Sequence, residues 1–379
     1  MTTPPDSAPP RETPLRAVHE QLGASMTEFA GWLMPLRYRS ETAEHQAVRT
    51  AAGLFDLSHM GEISVRGPGA AAALDYALVG ELSAVPPGRA RYTMICAADG
   101  GILDDLIVYR LAGQEFLVVA NAANTGVVLA ALGERAAGHD AQVTDETAGY
   151  ALIAIQGPAA AGILGPLASV PLDGIRYYAS HPVTVAGRDV LLARTGYTGE
   201  DGFEVFTSPQ DAEHVWSALA EAGKGAGLVP AGLAARDTLR LEAGMPLYGN
   251  ELGPGITPFD AGLGRVVKLG KPGDFVGRDA LAAAAQAAPR QVLVGLLGGT
   301  RRVPRHGYQV LWDGQRCGEV TSGAPSPTLG VPIAMAYLQP AVASAAEGAD
   351  SGLAVDVRGR AEPARLTPLP FYHRTSSQT

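Results

Sequence analysis

The chain has 379 residues, of which 46% are hydrophobic and 18% are charged, so it is long enough for about two or three domains with apolar cores. Its 29 basic and 38 acidic residues give a net charge of −9, which argues against nucleic acid or an anionic membrane as the main partner. Cys96 and Cys317 lie far apart without a CxxC pairing, which argues against a disulfide framework and favours a reducing compartment.

The N-terminal half is predicted to begin with a tail and to continue as short helices and strands. The segment MTTPPDSAPPRETP carries five prolines and lacks the features of a signal or transit peptide, so we expect a disordered tail over residues 1–13 of a cytoplasmic protein. Helices are predicted over residues 14–23 and 41–52. The strings RYTMIC, ILDDLIVYRL and EFLVVANA, separated by turn residues, predict an antiparallel meander. A helix over residues 127–137 and a buried strand over 150–155 follow.

The C-terminal half is predicted to contain a hairpin, two clear helices and a β-rich end. VLLAR and FEVFT flank the glycine-rich loop TGYTGEDG, and a helix follows with Ser208 as N-cap and Pro209 at its first position. A helix over residues 230–243 places Arg236 and Arg240 one turn apart. Residues 282–289 are predicted as a helical linker, 341–351 as a loop, and DGQ as a hairpin turn. Short strands and helices without regular βαβ alternation indicate an α+β fold in several parts.

The sequence lacks the motifs of several common enzyme classes. It contains no GxxxxGK[ST], GxSxG or HExxH, and no GxGxxG between a strand and a helix. The eight histidines are scattered, so we expect no metal site. These absences weaken nucleotide hydrolysis, dinucleotide redox chemistry and metalloprotease activity as functions.

Asp104 and Asp105 are unusual because they stand inside the apolar strand ILDDLIVY. Alternation places Leu103 and Asp105 on one face and Asp104 on the other, so at least one carboxylate lies among apolar neighbours, where an unpaired charge is costly. This pattern indicates a functional carboxylate. The alternative is an Asp tied to backbone N–H groups at a bulge or strand end, with the other solvated.

Glu204 and Arg236 are two further candidates beside the glycine-rich loop. Glu204 shares its strand face with Phe206, and its carboxylate can accept two parallel N–H bonds from a planar heterocycle. Arg236 can clamp an anion. The alternatives are a solvated hairpin edge for Glu204, and a surface ion pair of Arg236 with Asp237 or Glu242. The loop itself has more glycines than a hairpin needs, which is typical of close approach to a ligand.

These strings together resemble the T-protein of the glycine cleavage system, an aminomethyltransferase. The resemblance covers nearly the whole chain, and its strings occur in family order: GLFDLSHMGEISVRGPGA, GGILDDLIVY, VVANAAN, AIQGP, RTGYTGEDGFE, PAGLAARDTLRLEAGMPLYGNEL and SGAPSPTLG. The resemblance implies a three-domain, cloverleaf-like arrangement around a central folate channel. It implies a discontinuous folate-binding domain over residues 14–52 and 145–270, an inserted α+β domain over 53–144, and a C-terminal β-barrel over 275–375.

The resemblance also implies the reaction and its partners. The aminomethyl group on the dihydrolipoyl arm of the lipoylated H-protein would react with tetrahydrofolate, yielding ammonia and 5,10-methylenetetrahydrofolate. By motif, Asp105 would lie near folate N10 and Glu204 would accept the pterin edge. The remaining residues that the resemblance assigns to the folate pocket are Arg236, Tyr92, Asn121 and Tyr197. The C-terminal FYHRT departs from the family pattern, so a contact of His373 or Arg374 with the folate tail stays open.

Two other functions remain possible from the sequence. A tetrahydrofolate-dependent demethylase acting on a small methylated substrate would keep the same pterin residues. A non-catalytic folate-binding accessory protein of this fold would carry a cysteine in a KGCYxGQE-like motif. Cys96 and Cys317 do not match that motif, because they lie in MICAAD and QRCGEV.

Overall fold

The computed structural model describes residues 9–348 and 352–374. Within these ranges, no helix is long and apolar enough to cross a membrane, and no group of three or more His, Cys, Asp or Glu side chains is arranged to hold a metal ion. The first elements in the chain are β1 (Arg11–Glu12), α1 (Arg16–Gln21), β2 (Ser25–Phe29), β3 (Trp32–Arg37), α2 (Glu41–Thr50) and β4 (Ala52–Asp56).

The start of the chain differs from the prediction of a disordered tail over residues 1–13. Arg11 and Glu12 form a strand that pairs in parallel with β3, and the Arg11 guanidinium lies 4.2 Å from the centre of the Trp32 ring. This pairing and the cation–π contact order the segment. The prediction is therefore wrong for these two residues, whereas residues 1–8 lie outside the described residues.

One five-stranded sheet is built from a single stretch of chain. Its strands come in the order β6-β7-β8-β5-β9, with the predicted meander forming three neighbouring strands. Leu106, Val108 and Phe116 pack on one face against the helices of the same stretch. The elements of this stretch are β5 (Gly61–Arg66), α3 (Ala70–Ala77), β6 (Arg89–Cys96), β7 (Ile102–Ala112), β8 (Glu115–Ala120), α4 (Thr125–Ala136) and β9 (Gln142–Asp145).

A six-stranded sheet joins chain from both sides of that stretch. Its strand order is β11-β12-β13-β10-β4-β14, so β4 pairs with β10 across almost a hundred residues. The domain boundary predicted at residue 53 falls inside β4, and the domain division itself stays a prediction. The elements that follow the five-stranded sheet are β10 (Ala151–Gln156), α5 (Ala160–Leu164), β11 (Ser180–Val185), β12 (Arg188–Ala193), β13 (Gly202–Thr207), α6 (Ala212–Gly223), β14 (Leu228–Pro230) and α7 (Leu233–Glu242).

The C-terminal part closes into a barrel of six strands, in the order β15-β18-β17-β16-β19-β20. The DGQ turn joins β16 to β17 as predicted, with Asp313 and Gly314 at positive φ. The predicted α+β class and C-terminal β-barrel are confirmed. The elements here are α8 (Arg278–Gln286), β15 (Val292–Gly298), β16 (Gln309–Trp312), β17 (Gln315–Pro325), β18 (Pro332–Leu338), α9 (Pro340–Ala346), β19 (Leu353–Asp356) and β20 (Ala361–Thr367).

One predicted helix start and one predicted loop are wrong in identifiable ways. Helix α6 begins at Ala212 rather than Pro209, because the Ser208 hydroxyl closes a turn by accepting the backbone N–H of Asp211 at 3.2 Å. The predicted loop over residues 341–351 instead begins as α9, which has Pro340 in its first turn and four alanines among its seven residues.

A shared apolar layer holds the two sheets together. Leu152 and Phe206 of the six-stranded sheet pack in one cluster with Tyr109 and Leu117 of the five-stranded sheet. Two strands of this layer also carry carboxylates: β7 carries Asp105 and β13 carries Glu204. The candidate site is formed by those side chains and by the loop between β12 and β13.

Candidate active site

Asp104 and Asp105 lie on β7 at a β-bulge. The residues of β6 that face Asp104 and Ile102 are consecutive, so Leu103 is the extra residue on β7. Bulges redirect side chains and are frequent beside active sites. The alternation predicted here is wrong at Leu103, which packs with the core of the five-stranded sheet rather than on the face of Asp105.

Asp104 is fully buried and is held by the turn after β8. Its carboxylate accepts the backbone N–H of Asn121 at 3.0 Å, the side-chain amide of Asn121 at 2.9 Å and that of Asn124 at 2.7 Å. Burial raises the pKa of Asp104 to about 7, and the Asn124 hydrogen bond opposes that rise. Asp104 therefore matches only part of the alternative for these residues: it lies at a bulge, but one backbone N–H and two side-chain amides hold it.

Asp105 is half-buried and faces the opposite side of the strand. Its carboxylate accepts the side-chain amide of Asn121 at 2.9 Å and the hydroxyl of Tyr92 at 3.1 Å. Burial raises its pKa to about 6, although both hydrogen bonds lower it. Because the Asn121 amide donates to both aspartates, their protonation is coupled. A carboxyl group whose pKa lies near neutrality can exchange a proton with a substrate.

Glu204 lies on β13 and is buried, so the solvated-edge alternative is wrong. Its Oε2 atom accepts the hydroxyls of Thr195 at 2.5 Å and Tyr109 at 3.2 Å. Its Oε1 atom accepts no hydrogen bond from the described residues. Two hydroxyls from different strands thus fix the carboxylate and leave one oxygen for a ligand.

Arg236 lies on α7 beside the glycine-rich loop, with its guanidinium 4.8 Å from the centre of the Tyr197 ring. The surface-pair alternative is wrong, because Asp237 pairs with Arg240 at 2.8 Å and Glu242 pairs with Arg49 at 2.9 Å. Among the described residues, no carboxylate lies within 4.0 Å of Arg236. Burial lowers its pKa, whereas Tyr197 and Glu204 favour its charged form. Arg236 is therefore a partly desolvated cation with N–H groups available to a ligand.

The aspartate half and the glutamate half of the site are near enough to interact. Burial is the main cause of the raised pKa of Tyr178, and the charges of Glu204 and Asp105 both add to it. The pKa of Tyr197 is also raised by burial and by Asp105. The structure therefore brings together all six predicted site residues. They are Tyr92, Asp105, Asn121, Tyr197, Glu204 and Arg236.

Four residues of the site were not predicted. Asn124 lies in the family motif VVANAAN and Thr195 in RTGYTGEDGFE, so the motifs could have identified both as site residues. Tyr109 shares a strand face with Asp105, but a tyrosine in an apolar strand indicates core packing. Tyr178 has a left-handed backbone, with φ of 58°, and no sequence pattern predicts this.

His373 and Arg374, left open by the sequence, line a cavity of about 310 Å³ next to the glycine-rich loop. Gly199 and Glu200 of that loop also line it. Arg374 lies 4.0 Å from Asp201. A larger cavity of about 690 Å³ lies between the two sheets. None of the six predicted residues lines either cavity, but the smaller one adjoins them through Gly196, the neighbour of Tyr197 in the glycine-rich loop. The site is therefore located by its polar groups rather than by cavity size.

Comparison with known proteins agrees with this geometry. Residues 15–271 match the model of the GCVT N-terminal domain, and residues 291–373 match that of the glycine cleavage T-protein C-terminal barrel domain. The chain belongs to the glycine cleavage T-protein family. The predicted resemblance is confirmed, and both β4 and the barrel lie within matched regions.

Relatives of this family cover almost the full chain. The chain is 66% identical over 368 residues to an aminomethyltransferase of Streptomyces avermitilis, covering 96% of this chain and 98% of the relative. It is 62% identical over 370 residues to one of Saccharopolyspora erythraea, covering 97% and 99%. The crystal structure of the glycine cleavage system aminomethyltransferase T from Bartonella henselae is 37% identical, with a TM-score of 0.88 over 96% of this chain and 98% of that chain.

Proposed function

We propose that this chain, an aminomethyltransferase of the glycine cleavage system, transfers the methylene carbon of an S-aminomethyldihydrolipoyl arm of H-protein to tetrahydrofolate. The products are ammonia, 5,10-methylenetetrahydrofolate and dihydrolipoyl H-protein. The activity of relatives at 66% and 62% identity supports the reaction. One observation carries the assignment of the site: a carboxyl with a pKa near neutrality stands beside a carboxylate and an arginine that the protein leaves open to a ligand.

Glu204 is the proposed acceptor for the pterin. The aminopyrimidinone edge of tetrahydrofolate offers adjacent N–H donors, and a carboxylate is an acceptor with room for several hydrogen bonds. The hydroxyls of Thr195 and Tyr109 occupy Oε2, so Oε1 takes the ligand. A fixed carboxylate loses little side-chain entropy on binding, which favours affinity.

Arg236 and Tyr197 are proposed to complete the folate pocket. The Tyr197 hydroxyl donates to the backbone carbonyl of Pro246, which fixes the ring beneath the Arg236 guanidinium. A planar guanidinium held in this way directs its N–H groups in a defined direction. Arg236 thus binds and orients the ligand rather than supplying a proton.

Asp105 is the proposed catalytic residue. When the aminomethyl group loses ammonia, its carbon becomes electrophilic and is attacked by an amine of tetrahydrofolate. The C–S bond breaks and its electron pair returns to sulfur, while the carbon becomes bonded to both folate nitrogens, N5 and N10. Each nitrogen loses one proton: one proton completes the thiol and the other completes ammonia. Asp105, beside folate N10, accepts and relays a proton and stabilises the positive charge that develops.

Tyr92 and Asn121 are proposed to hold Asp105 in place. Each donates one hydrogen bond to its carboxylate, and together they keep its pKa from rising further with burial. A correctly oriented carboxylate beside both reactants removes part of the entropic barrier to their reaction.

The test is release of ammonia from aminomethylated H-protein by the purified full chain. We expect release and formation of 5,10-methylenetetrahydrofolate to require both H-protein and tetrahydrofolate. Turnover of a small methylated amine without H-protein would instead identify a demethylase. Folate binding without turnover of either donor would identify a non-catalytic folate-binding protein.

A further inference from the structure

Arg49 is a buried arginine of α2 that lies behind the glycine-rich loop, and all five of its N–H groups are used. Nη1 donates to the Thr198 carbonyl at 2.7 Å and to Glu200 at 2.9 Å. Nη2 donates to the Leu239 carbonyl at 3.3 Å and to Glu242 at 2.9 Å, and Nε donates to Glu242 at 3.1 Å. A planar fork with five donors is the only side chain that can make this set of contacts.

These contacts join three separate segments of the chain. Thr198 and Glu200 belong to the glycine-rich loop, and Glu242 ends α7. The third segment is the C-terminal one, because the Arg49 guanidinium lies 4.0 Å from the centre of the Tyr372 ring. The backbone N–H of Tyr372 also donates to the Glu242 carbonyl at 2.8 Å.

The same three segments form the walls of the 310 Å³ cavity. Glu200 comes from the loop, Ala243 from the end of α7 and Tyr372 from the C-terminal segment. The fit is close: Gly199 has φ of +81°, and a Cβ added there would lie 2.9 Å from the Cβ of Ala243. Arg49 does not line this cavity, so it acts through the residues that do.

We propose that Arg49 is a positioning residue for tetrahydrofolate. It holds the loop that carries Tyr197 and the C-terminal segment in the one relative arrangement that fits the ligand. The inference rests on the proposed function, since it concerns the folate side of the same site. It predicts an effect on folate affinity, with little effect on the chemical step.

The docking of the barrel does not depend on Arg49. Glu242 also accepts the hydroxyl of Thr328 at 2.7 Å and that of Ser326, both from the turn after β17. His45 lies 3.1 Å from the same carboxylate. None of these contacts involves Arg49, so we expect a lysine variant, which keeps the positive charge beside Glu242, to retain the barrel contact.

The experiment compares Arg49→Lys with the wild type and with Arg110→Lys. Arg110 is a matched control because it also stacks on an aromatic ring, 5.1 Å from the centre of Phe116, and donates to three backbone carbonyls away from the cavity. We expect Arg49→Lys to raise the Kd for tetrahydrofolate about tenfold. We expect kcat at saturating tetrahydrofolate and KM for aminomethylated H-protein to stay within about twofold, and Arg110→Lys to leave all three constants unchanged.

Two results would overturn the inference. One is an unchanged Kd for tetrahydrofolate in folded Arg49→Lys. The other is a fall in kcat together with an equal rise in the Kd for tetrahydrofolate and in the KM for aminomethylated H-protein. If Arg49→Lys does not fold, Glu200→Gln replaces it. This change removes the charge that pairs with Arg49 and leaves the contact of Arg49 to the Thr198 carbonyl in place, so we expect it to raise the same Kd about threefold. Failure of the wild type to bind tetrahydrofolate or to release ammonia would instead refute the proposed function.

Discussion

The two halves of the site differ in how their polar groups are satisfied. In the aspartate half, Asn121 donates to both carboxylates, Asn124 to Asp104 and Tyr92 to Asp105. Burial raises the pKa of Asp104 to about 7 and that of Asp105 to about 6. In the glutamate half, Oε1 of Glu204 and the guanidinium of Arg236 have no charged or hydrogen-bonding partner among the described residues.

This difference indicates a division of labour. A satisfied carboxyl with a pKa near neutrality suits proton transfer, because it changes charge easily and keeps its geometry. Unused acceptors and donors suit binding, because a ligand that pairs them removes a desolvation cost. The aspartate half should therefore control turnover and the glutamate half should control affinity.

Replacing Asp105 by Asn should have the largest effect. Asn keeps the size of the side chain but cannot relay a proton or carry the charge, so we expect kcat for ammonia release to fall by about 10²- to 10⁴-fold. The Kd for tetrahydrofolate should stay within about threefold. Asp104→Asn is the matched control and should lose less than about tenfold. Near-normal turnover of folded Asp105→Asn would remove its catalytic role.

Replacing Glu204 by Gln should have the next largest effect, and on a different constant. Loss of a hydrogen bond to a charged acceptor costs about 1.5–3 kcal/mol, so the Kd for tetrahydrofolate should rise about 10- to 100-fold. Turnover at saturating tetrahydrofolate should change by less than about threefold. The exposed Glu319→Gln of the barrel serves as a control. Unchanged affinity by calorimetry would contradict the pterin assignment.

Replacing Arg236 by Lys should weaken binding moderately. The positive charge remains, but the planar fork and its stacking on Tyr197 are lost, so we expect the Kd for tetrahydrofolate to rise about three- to tenfold. Stopped-flow binding can measure this, with the exposed Arg316→Lys as control. A fall in kcat with unchanged Kd would move Arg236 into the catalytic half.

The pH profile of Tyr92→Phe should show the smallest effect. If the ionised form of Asp105 is active, kcat/KM rises with pH through about 6, where this carboxyl loses its proton. The Tyr92 hydroxyl lowers the pKa of Asp105, so its removal raises that pKa and moves the acid limb to higher pH by about half a unit. An acid limb that moves to lower pH would show that Tyr92 does not stabilise the carboxylate.

Much of this site could be predicted because its motifs are local. The strings around Asp105, Glu204 and Arg236 each lie on one strand, loop or helix, and the meander around Asp105 was predicted from its turn residues. The α+β class and the barrel followed from the resemblance to the family. Asn124 and Thr195 lie inside the family motifs VVANAAN and RTGYTGEDGFE, and the structure adds the carboxylates that their side chains contact.

The rest depended on contacts between distant segments. The bulge at Leu103 arises from the pairing of β6 with β7, and single-strand alternation does not reveal it. The contact between Arg49 and Tyr372 joins residues more than three hundred positions apart. The strand at Arg11 likewise depends on its pairing with β3. Tertiary contacts decided each of these features, so local propensity could not predict them.

The most direct test of the division of labour is calorimetric titration of tetrahydrofolate into the wild type, Asp105→Asn and Glu204→Gln, paired with single-turnover ammonia release from aminomethylated H-protein. The account predicts that Asp105→Asn binds tetrahydrofolate like the wild type and releases little ammonia. It predicts that Glu204→Gln binds weakly and releases ammonia at nearly the wild-type rate once saturated. Equal losses of affinity and rate in both variants would contradict it.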